Sequence, residues 1–412
     1  MRVTYFTQIF LLALALAACQ EVPVTRPSLV SQDDEDYPPA PPPPPTAGPG
    51  ETGLPSTRLE WEWQEDARPS ALAADDDRLG VIVSDGRFLW LDAETGLATG
   101  GGFLWPDDIR GETWGSVTIA SDVAIVKAAE TFQSELGDFP ETRSRVVAFD
   151  AEGDELWALP ELGDKHLYSA TIGQGKALIG THRGFTNNSL SAYDLDSGEI
   201  AWRYEAEDYG FEKLVADERH VYGVLLGSES GGVAAYDLST GALIWAEHDP
   251  AINLVDDLLL EGERLYALTQ PAAIALRLDD GQIDWSVEMG LAPEAGMVAR
   301  ETFLYVVPAP TAGMSTRPGL LGINARDGEI AWHALAGLVA DPLAASGEAL
   351  WAIVKDPDEG IVSLSVLEAA SGLERARLPL GHDLEVNYRL VAEGDTVYVL
   401  GESLRAYRIP RQ

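Results

Sequence analysis

Catalysis and metal binding need particular residue types at particular spacings, and this chain of 412 residues is poor in them. Its only cysteine is Cys19, so no intrachain disulfide can form. The six histidines are His166, His182, His220, His248, His333 and His382, and no two stand at the separation of a metal-ligand pair. There is no G-x-S-x-G elbow and no Walker-type loop, since Gly175-Lys176 runs into Ala177 where a hydroxyl is required. Gly100-Gly101-Gly102 reads as a loose strand edge rather than a phosphate cradle. With 67 Asp and Glu, no carboxylate pair stands out as an acid–base couple. The expectation is therefore no catalytic residue, no resident metal and no cofactor.

Charge narrows the partners. The formal net charge is -39, with 28 Lys and Arg against the 67 acids. Binding to a phosphate backbone needs clustered cations, which excludes nucleic acid and disfavours anionic lipid. The acidity suits solubility in a large all-β protein.

The first residues read as an address rather than as fold. Arg2 supplies a positive start, 9–18 is an apolar core too short to span a bilayer, and small residues follow, as in a secretory signal. Leu16-Ala17-Ala18-Cys19 resembles the lipobox of bacterial lipoproteins, which implies cleavage before Cys19 and lipid on that residue. Several acyl chains would anchor the protein firmly, each buried methylene adding roughly 0.8 kcal/mol. Gln20 after the cysteine, rather than Asp, resembles the signal for outer-membrane sorting, facing the periplasm. The expected layout is a signal peptide over 1–18, a lipidated Cys19 with a Pro-rich tether over 19–58, and one folded domain over 59–412. The tether carries Asp33-Asp34-Glu35-Asp36 and a nearly unbroken proline run from Pro38 to Pro45, a composition that cannot form a core.

The folded part repeats. Ala192-Tyr193-Asp194-Leu195-Asp196-Ser197-Gly198 leads to Trp202, and Ala235-Tyr236-Asp237-Leu238-Ser239-Thr240-Gly241 leads to Trp245. The turn glycines are Gly96, Gly153, Gly198, Gly241, Gly281, Gly328 and Gly372, with successive gaps of 57, 45, 43, 40, 47 and 44. A period in the forties built of short strands is the signature of a β-propeller, one four-stranded blade per repeat. The Asp carboxylate caps the turn, the glycine supplies positive φ, and four residues later a tryptophan seals one blade against the next. Trp157, Trp202, Trp245, Trp285 and Trp332 hold that offset, whereas Gly100 and Ala376 replace it in the first and seventh units, whose outer edges are expected to pack less tightly.

An eighth unit stops after 404–408 with its outer strand missing, and Leu59-Glu60-Trp61-Glu62-Trp63-Gln64 has the alternation to fill it. The expected fold is all-β: a single eight-bladed propeller of four-stranded antiparallel blades, closed by pairing of the N- and C-terminal strands.

The Asp-x-x-Thr/Ser-Gly-x-x-x-Trp pattern resembles the pyrroloquinoline-quinone-type (PQQ-like) propeller repeat over 59–412. Two branches share that repeat. Quinoprotein dehydrogenases carry adjacent cysteines near the cofactor, an element absent here because Cys19 is alone. The other branch, the lipoprotein B subunits of the outer-membrane β-barrel assembly machinery, is a non-enzymatic scaffold. The resemblance implies an envelope lipoprotein that binds envelope proteins and is held to the membrane through Cys19. The alternatives are a small-ligand or cation-binding sensor and a quinone-dependent dehydrogenase.

Within a propeller the long insertions 128–144, 182–189, 227–232, 308–318 and 356–360 all join the second and third strands of a blade. They share a face with the links between blades, and loops on a rigid scaffold commonly carry function. That face is expected to display Phe132, Phe139, Arg183, Phe185, Met314 and Arg317 as a binding surface. Glu212, Asp256, Asp257 and Asp341 are placed near the channel mouth on the same face.

Overall fold

A computed structural model of the chain describes residues 57–75, 77–105, 111–120, 122–133, 140–161, 167–182, 188–206, 208–227, 231–252, 255–269, 272–289, 296–300, 302–308, 319–356, 358–382 and 386–408. Short runs rich in β-branched and apolar residues, cut by Gly and Asp turns, form antiparallel strands. These strands assemble into eight four-stranded sheets, and the one helical element among the described residues is a single 3-10 turn at Pro250–Ile252. Blades 1 to 7 follow chain order over 69–103, 112–158, 167–206, 209–247, 255–288, 297–334 and 339–381. Blade 8 combines Arg389–Glu393, Thr396–Leu400 and Leu404–Arg408 with Arg58–Trp63 from the other end of the chain. The terminal strands pair antiparallel, Arg58 opposite Arg408 and Trp63 opposite Leu404, and this closes the ring.

The core is distributed rather than central. Tyr222, Val224 and Val233 of blade 4 meet Leu265, Ala267 and Ile274 of blade 5. A comparable apolar wedge fills each other junction between neighbouring blades. The wedge between blades 8 and 1 joins Tyr398, Leu400 and Leu404 to Leu72, Leu79 and Leu91, with Trp61 and Trp63 packed against it. Since each fully buried large apolar side chain contributes about 1.5–3 kcal/mol, every junction holds the ring and none dominates.

The repeat motif works between blades. Trp157 Nε1 of blade 2 donates to Leu195 O of blade 3 at 2.9 Å. Trp202 reaches Leu238 O at 2.8 Å, Trp245 reaches Leu278 O at 2.7 Å and Trp285 reaches Ala325 O at 3.0 Å, always in the next blade. Each indole also lies on the turn glycine of that next blade: a Cβ on Gly198, Gly241, Gly281, Gly328 or Gly372 would overlap the ring of Trp157, Trp202, Trp245, Trp285 or Trp332. Gly241 has φ of 73°, so the position is restricted twice, by backbone conformation and by the ring above it. The N-terminal strand continues the pattern, with Trp61 Nε1 donating to Ala93 O at 3.1 Å and its ring lying on Gly96.

The expectation of loose outer edges fails at blade 1. In place of an indole, its glycine run lets backbone meet backbone: a Cβ on Gly100 would strike Glu152 O, and one on Gly153 would strike Gly101. Trp90 Nε1 donates to Asp150 O at 2.7 Å, and Phe88 stacks on Phe149 with centroids 4.8 Å apart. For blade 7 the reason lies next door. Blade 8 has chain ends where a turn glycine would stand, so Ala376 has none to cover; it packs instead with Leu378 and Leu380 against the wedge between blades 7 and 8.

Candidate functional site

The most elaborated described element is the hairpin of blade 2. Its second and third strands, Val123–Gln133 and Pro140–Phe149, stay paired as far as Gln133 opposite Pro140. Much of the insertion read at 128–144 is thus strand rather than loop. Cross-strand pairs explain the extension: Glu130 lies opposite Arg143 and Thr131 opposite Thr142, with the two threonine hydroxyls 3.3 Å apart. Glu130 is fully buried and pairs with Arg143 at 2.6 Å, while its other oxygen accepts from Gly111 N at 2.8 Å. The Arg143 guanidinium lies 4.3 Å from the Trp105 ring centroid and 5.9 Å from that of Phe132, and also meets Glu161 at 3.4 Å. Trp105 Nε1 in turn donates to Thr113 Oγ1 at 3.0 Å. The projecting hairpin therefore stands on a packed ionic and aromatic base rather than on a flexible stalk.

Beside it, Trp114 on the innermost strand Glu112–Ala120 is 41% exposed, its indole donating to Thr131 Oγ1 at 3.4 Å. Sequence reasoning missed this residue. Its signal was a tryptophan outside the repeat offset.

Of the six residues assigned to the binding face, the described part contains Phe132, half-buried beside Arg143. Phe139, Arg183, Phe185, Met314 and Arg317 lie outside the described residues, as do Cys19 and the whole of 1–56. Trp157, Trp202, Trp245, Trp285 and Trp332 all lie at blade junctions.

The innermost strands of blades 4 and 5 carry both signs of charge. Glu212 and Lys213 lie on the innermost strand Tyr209–Ala216 of blade 4, and Asp256 and Asp257 on Val255–Glu261 of blade 5. Asp257 is committed: it is ion-paired with Lys213 and accepts from Leu258 N at 2.9 Å. The side chain of Asp341 lies outside the described part. Among the described residues no group of three or more His, Cys, Asp or Glu is arranged to hold a metal ion. Burial lowers the pKa of Lys127, with Arg389 adding to the effect and Glu212 opposing it; burial likewise lowers that of Lys213, helped by Lys127. Among the described residues no helix is long and apolar enough to cross a membrane, a statement that does not bear on β-barrels.

These features define a closed propeller whose blade junctions repeat one Trp-on-Gly contact and whose two faces differ. A family model described as outer membrane protein assembly factor BamB matches residues 142–300. Among solved structures, BamB from Moraxella catarrhalis is 16% identical with a TM-score of 0.61, over 87% of this chain and 99% of that one. The computationally designed protein Ika8 gives a TM-score of 0.62 at 12% identity, over 84% of this chain and 98% of that one. The quinohemoprotein alcohol dehydrogenase from Comamonas testosteroni gives 0.60 at 13% identity, over 86% of this chain and 78% of that one. No curated protein matches the chain. The protein is an eight-bladed β-propeller, and its residues 142–300 resemble the family described as outer membrane protein assembly factor BamB.

Proposed function

We propose that this protein is a non-catalytic interaction scaffold of the bacterial cell envelope, anchored by lipid on Cys19 and presenting its elaborated face to a protein partner. The observation that carries this reading is the blade 2 hairpin. A strand pair braced by the buried Glu130–Arg143 pair, with Trp114 exposed beside it, is a rigid aromatic platform. Rigid exposed aromatics are favoured anchors of protein interfaces, since they bury large area with little loss of rotamer freedom. The match to an assembly-factor family supports a role in outer-membrane protein assembly.

The test is photo-crosslinking in intact cells from a reactive amino acid at 114, compared with one at 243 on the opposite side of blade 4. A discrete envelope-protein adduct at 114 that is absent at 243 is expected, and adducts of equal pattern from both positions would overturn the reading. Anchoring is tested separately: labelling with an alkynyl fatty acid should be lost in Cys19→Ser, and retention of label would remove the anchor from the proposal.

A further inference from the structure

Among the described residues, the outermost strand of each blade is hydrogen-bonded on one side only, so the ring turns eight strand edges outward. Such an edge is a template for pairing with another chain, and charged side chains on it are the usual guard. Seven of the eight outer strands carry at least one ionisable residue, among them Glu155 in blade 2, Glu247 in blade 4, Asp284 in blade 5 and His333 in blade 6. Blade 1 departs from this rule. Its outer strand, Ala98–Phe103, reads Ala-Thr-Gly-Gly-Gly-Phe, with no charge, no histidine and no proline.

The two large apolar side chains most open to solvent among the described residues flank this same strand: Leu97 is 68% exposed and Phe103 55%. Packing within the ring accounts for the glycines, since a Cβ on Gly100 would strike Glu152 O and one on Gly102 would strike Gly153 O of the next blade. It does not account for two large apolar groups left in water. The ladder shows which backbone groups are open. Leu104 N donates to Gly86 O at 2.8 Å, and Gly102 lies opposite Phe88. By the alternation of an antiparallel pair, the N–H and C=O groups of Gly101 and Phe103 then point away from the sheet, and both residues are exposed.

Charge selects the occupant. The chain carries a net charge of -39, so a partner of opposite charge finds stronger attraction on its acidic surfaces than at a neutral edge. A neutral, apolar edge suits a partner of the same sign, and a second copy of this chain is such a partner. The strand is also complementary to itself. Antiparallel pairing about a twofold axis, with Gly102 facing Gly102, sets Phe103 of each copy opposite Gly101 of the other. An aromatic ring over a cross-strand glycine covers backbone that the glycine leaves bare.

We infer that this protein self-associates through the outer edge of blade 1, two copies joining Ala98–Phe103 antiparallel so that their four-stranded sheets become one. The strand runs from the short-turn face to the elaborated face, so antiparallel pairing turns the two elaborated faces in opposite directions. The dimer then offers a Trp114 hairpin on each side. One six-residue pairing lies at the small end of specific interfaces, which makes the association weak and concentration-dependent. Salt screens the repulsion between two acidic rings and therefore strengthens it.

The test is sedimentation velocity of the full chain with Cys19→Ser, so that no lipid on that residue drives association, over a wide range of concentration with and without added sodium chloride. A monomer–dimer equilibrium that tightens with salt is expected. Phe103→Glu places charge on the edge and should weaken the dimer by about tenfold, whereas Phe103→Tyr should keep it. Leu243→Glu, at an equally exposed position on the outer strand of blade 4, should leave it unchanged. Because Phe103 is exposed, its variants should melt at the parent temperature. On concentrating the protein, amide hydrogen exchange should slow at Gly101 and Phe103 but not within Ile283–Glu288 of blade 5. A chain that stays monomeric throughout would overturn the inference and leave the edge to a strand of a foreign protein. Equal weakening by Leu243→Glu and Phe103→Glu, or unchanged exchange at 101 and 103, would overturn it as well. None of these outcomes bears on crosslinking at position 114, so the self-pairing edge and the interaction face stand or fall separately.

Discussion

At the scale of single residues, the motif glycine and the motif tryptophan constrain each other across a junction. Gly241→Ala places a methyl group under the Trp202 ring on a backbone with φ of 73°. The left-handed conformation alone costs about 1–2 kcal/mol for a residue with a Cβ. Displacing the ring adds to that, so a loss of about 2–4 kcal/mol is expected in denaturant unfolding. The same alanine at Gly347, with φ of 57° and nothing within 4 Å of its Cβ, should cost only the backbone part. Trp332 offers a second comparison, because its Nε1 is buried with no hydrogen-bond partner among the described residues whereas that of Trp202 donates to Leu238 O. Replacing each by Phe should therefore cost clearly more at Trp202, by about 1 kcal/mol for the lost bond.

The turn aspartates respond to acid. Hydrogen bonds from Ser239 and Thr240 depress the Asp237 pKa from 3.8 to about 2, and Ser197 depresses Asp194 and Thr95 depresses Asp92 in the same direction. A carboxyl held lower in the folded than in the unfolded state contributes stability above its unfolded value, and that contribution is lost as pH falls through the folded one. Melting temperature should drop between about pH 4 and pH 2, and Asp237→Asn should flatten part of that drop. An unchanged pH profile would show that these turns hold the carboxylate no better than water does.

At the scale of elements, the blade 2 hairpin depends on its buried pair. Arg143→Met leaves the Glu130 carboxylate buried without its main counter-charge, a change expected to cost about 3–5 kcal/mol. Glu130→Gln combined with Arg143→Met should recover much of the loss, and a double-mutant cycle on thermal unfolding measures the coupling. How far this hairpin could be read in sequence is instructive. The regular blades were legible because Asp, Gly and Trp recur at fixed offsets, so turn chemistry and the Trp position followed from local rules. The extended hairpin was read as an insertion because Thr131, Phe132, Glu141 and Thr142 carry no repeat signature; only pairing across the turn makes them strand. Blade 1 was misread for a related reason. Its glycine run looks weak along one strand, but the contact it allows is with the backbone of the next blade, a distance that no single repeat encodes.

At the scale of the whole molecule, stability rests on a ring of eight similar junctions, and one of them is made by chain ends. The strand Arg58–Trp63 supplies Trp61, which covers Gly96 and donates to Ala93 O, and Trp63, which packs on the wedge of Leu79, Leu91 and Leu404. Glu62 ties the same strand to Arg405 at 2.9 Å and to Ser403 at 2.6 Å, and both hydrogen bonds lower its pKa. Removing 59–64 therefore takes away one junction's seal and exposes Leu404–Arg408 as an open edge, a template for pairing with other chains. Trp61 and Trp63 are both part-buried, and losing the two together is expected to cost about 3–5 kcal/mol, which in a domain of this size corresponds to a melting temperature lower by roughly 5 °C. The deleted protein should also self-associate, and a synthetic peptide spanning 58–64 should bind it and restore the monomer. A deletion variant that melts at the parent temperature, or stays monomeric without the peptide, would mean that the seven chain-ordered blades hold the ring without the terminal strand.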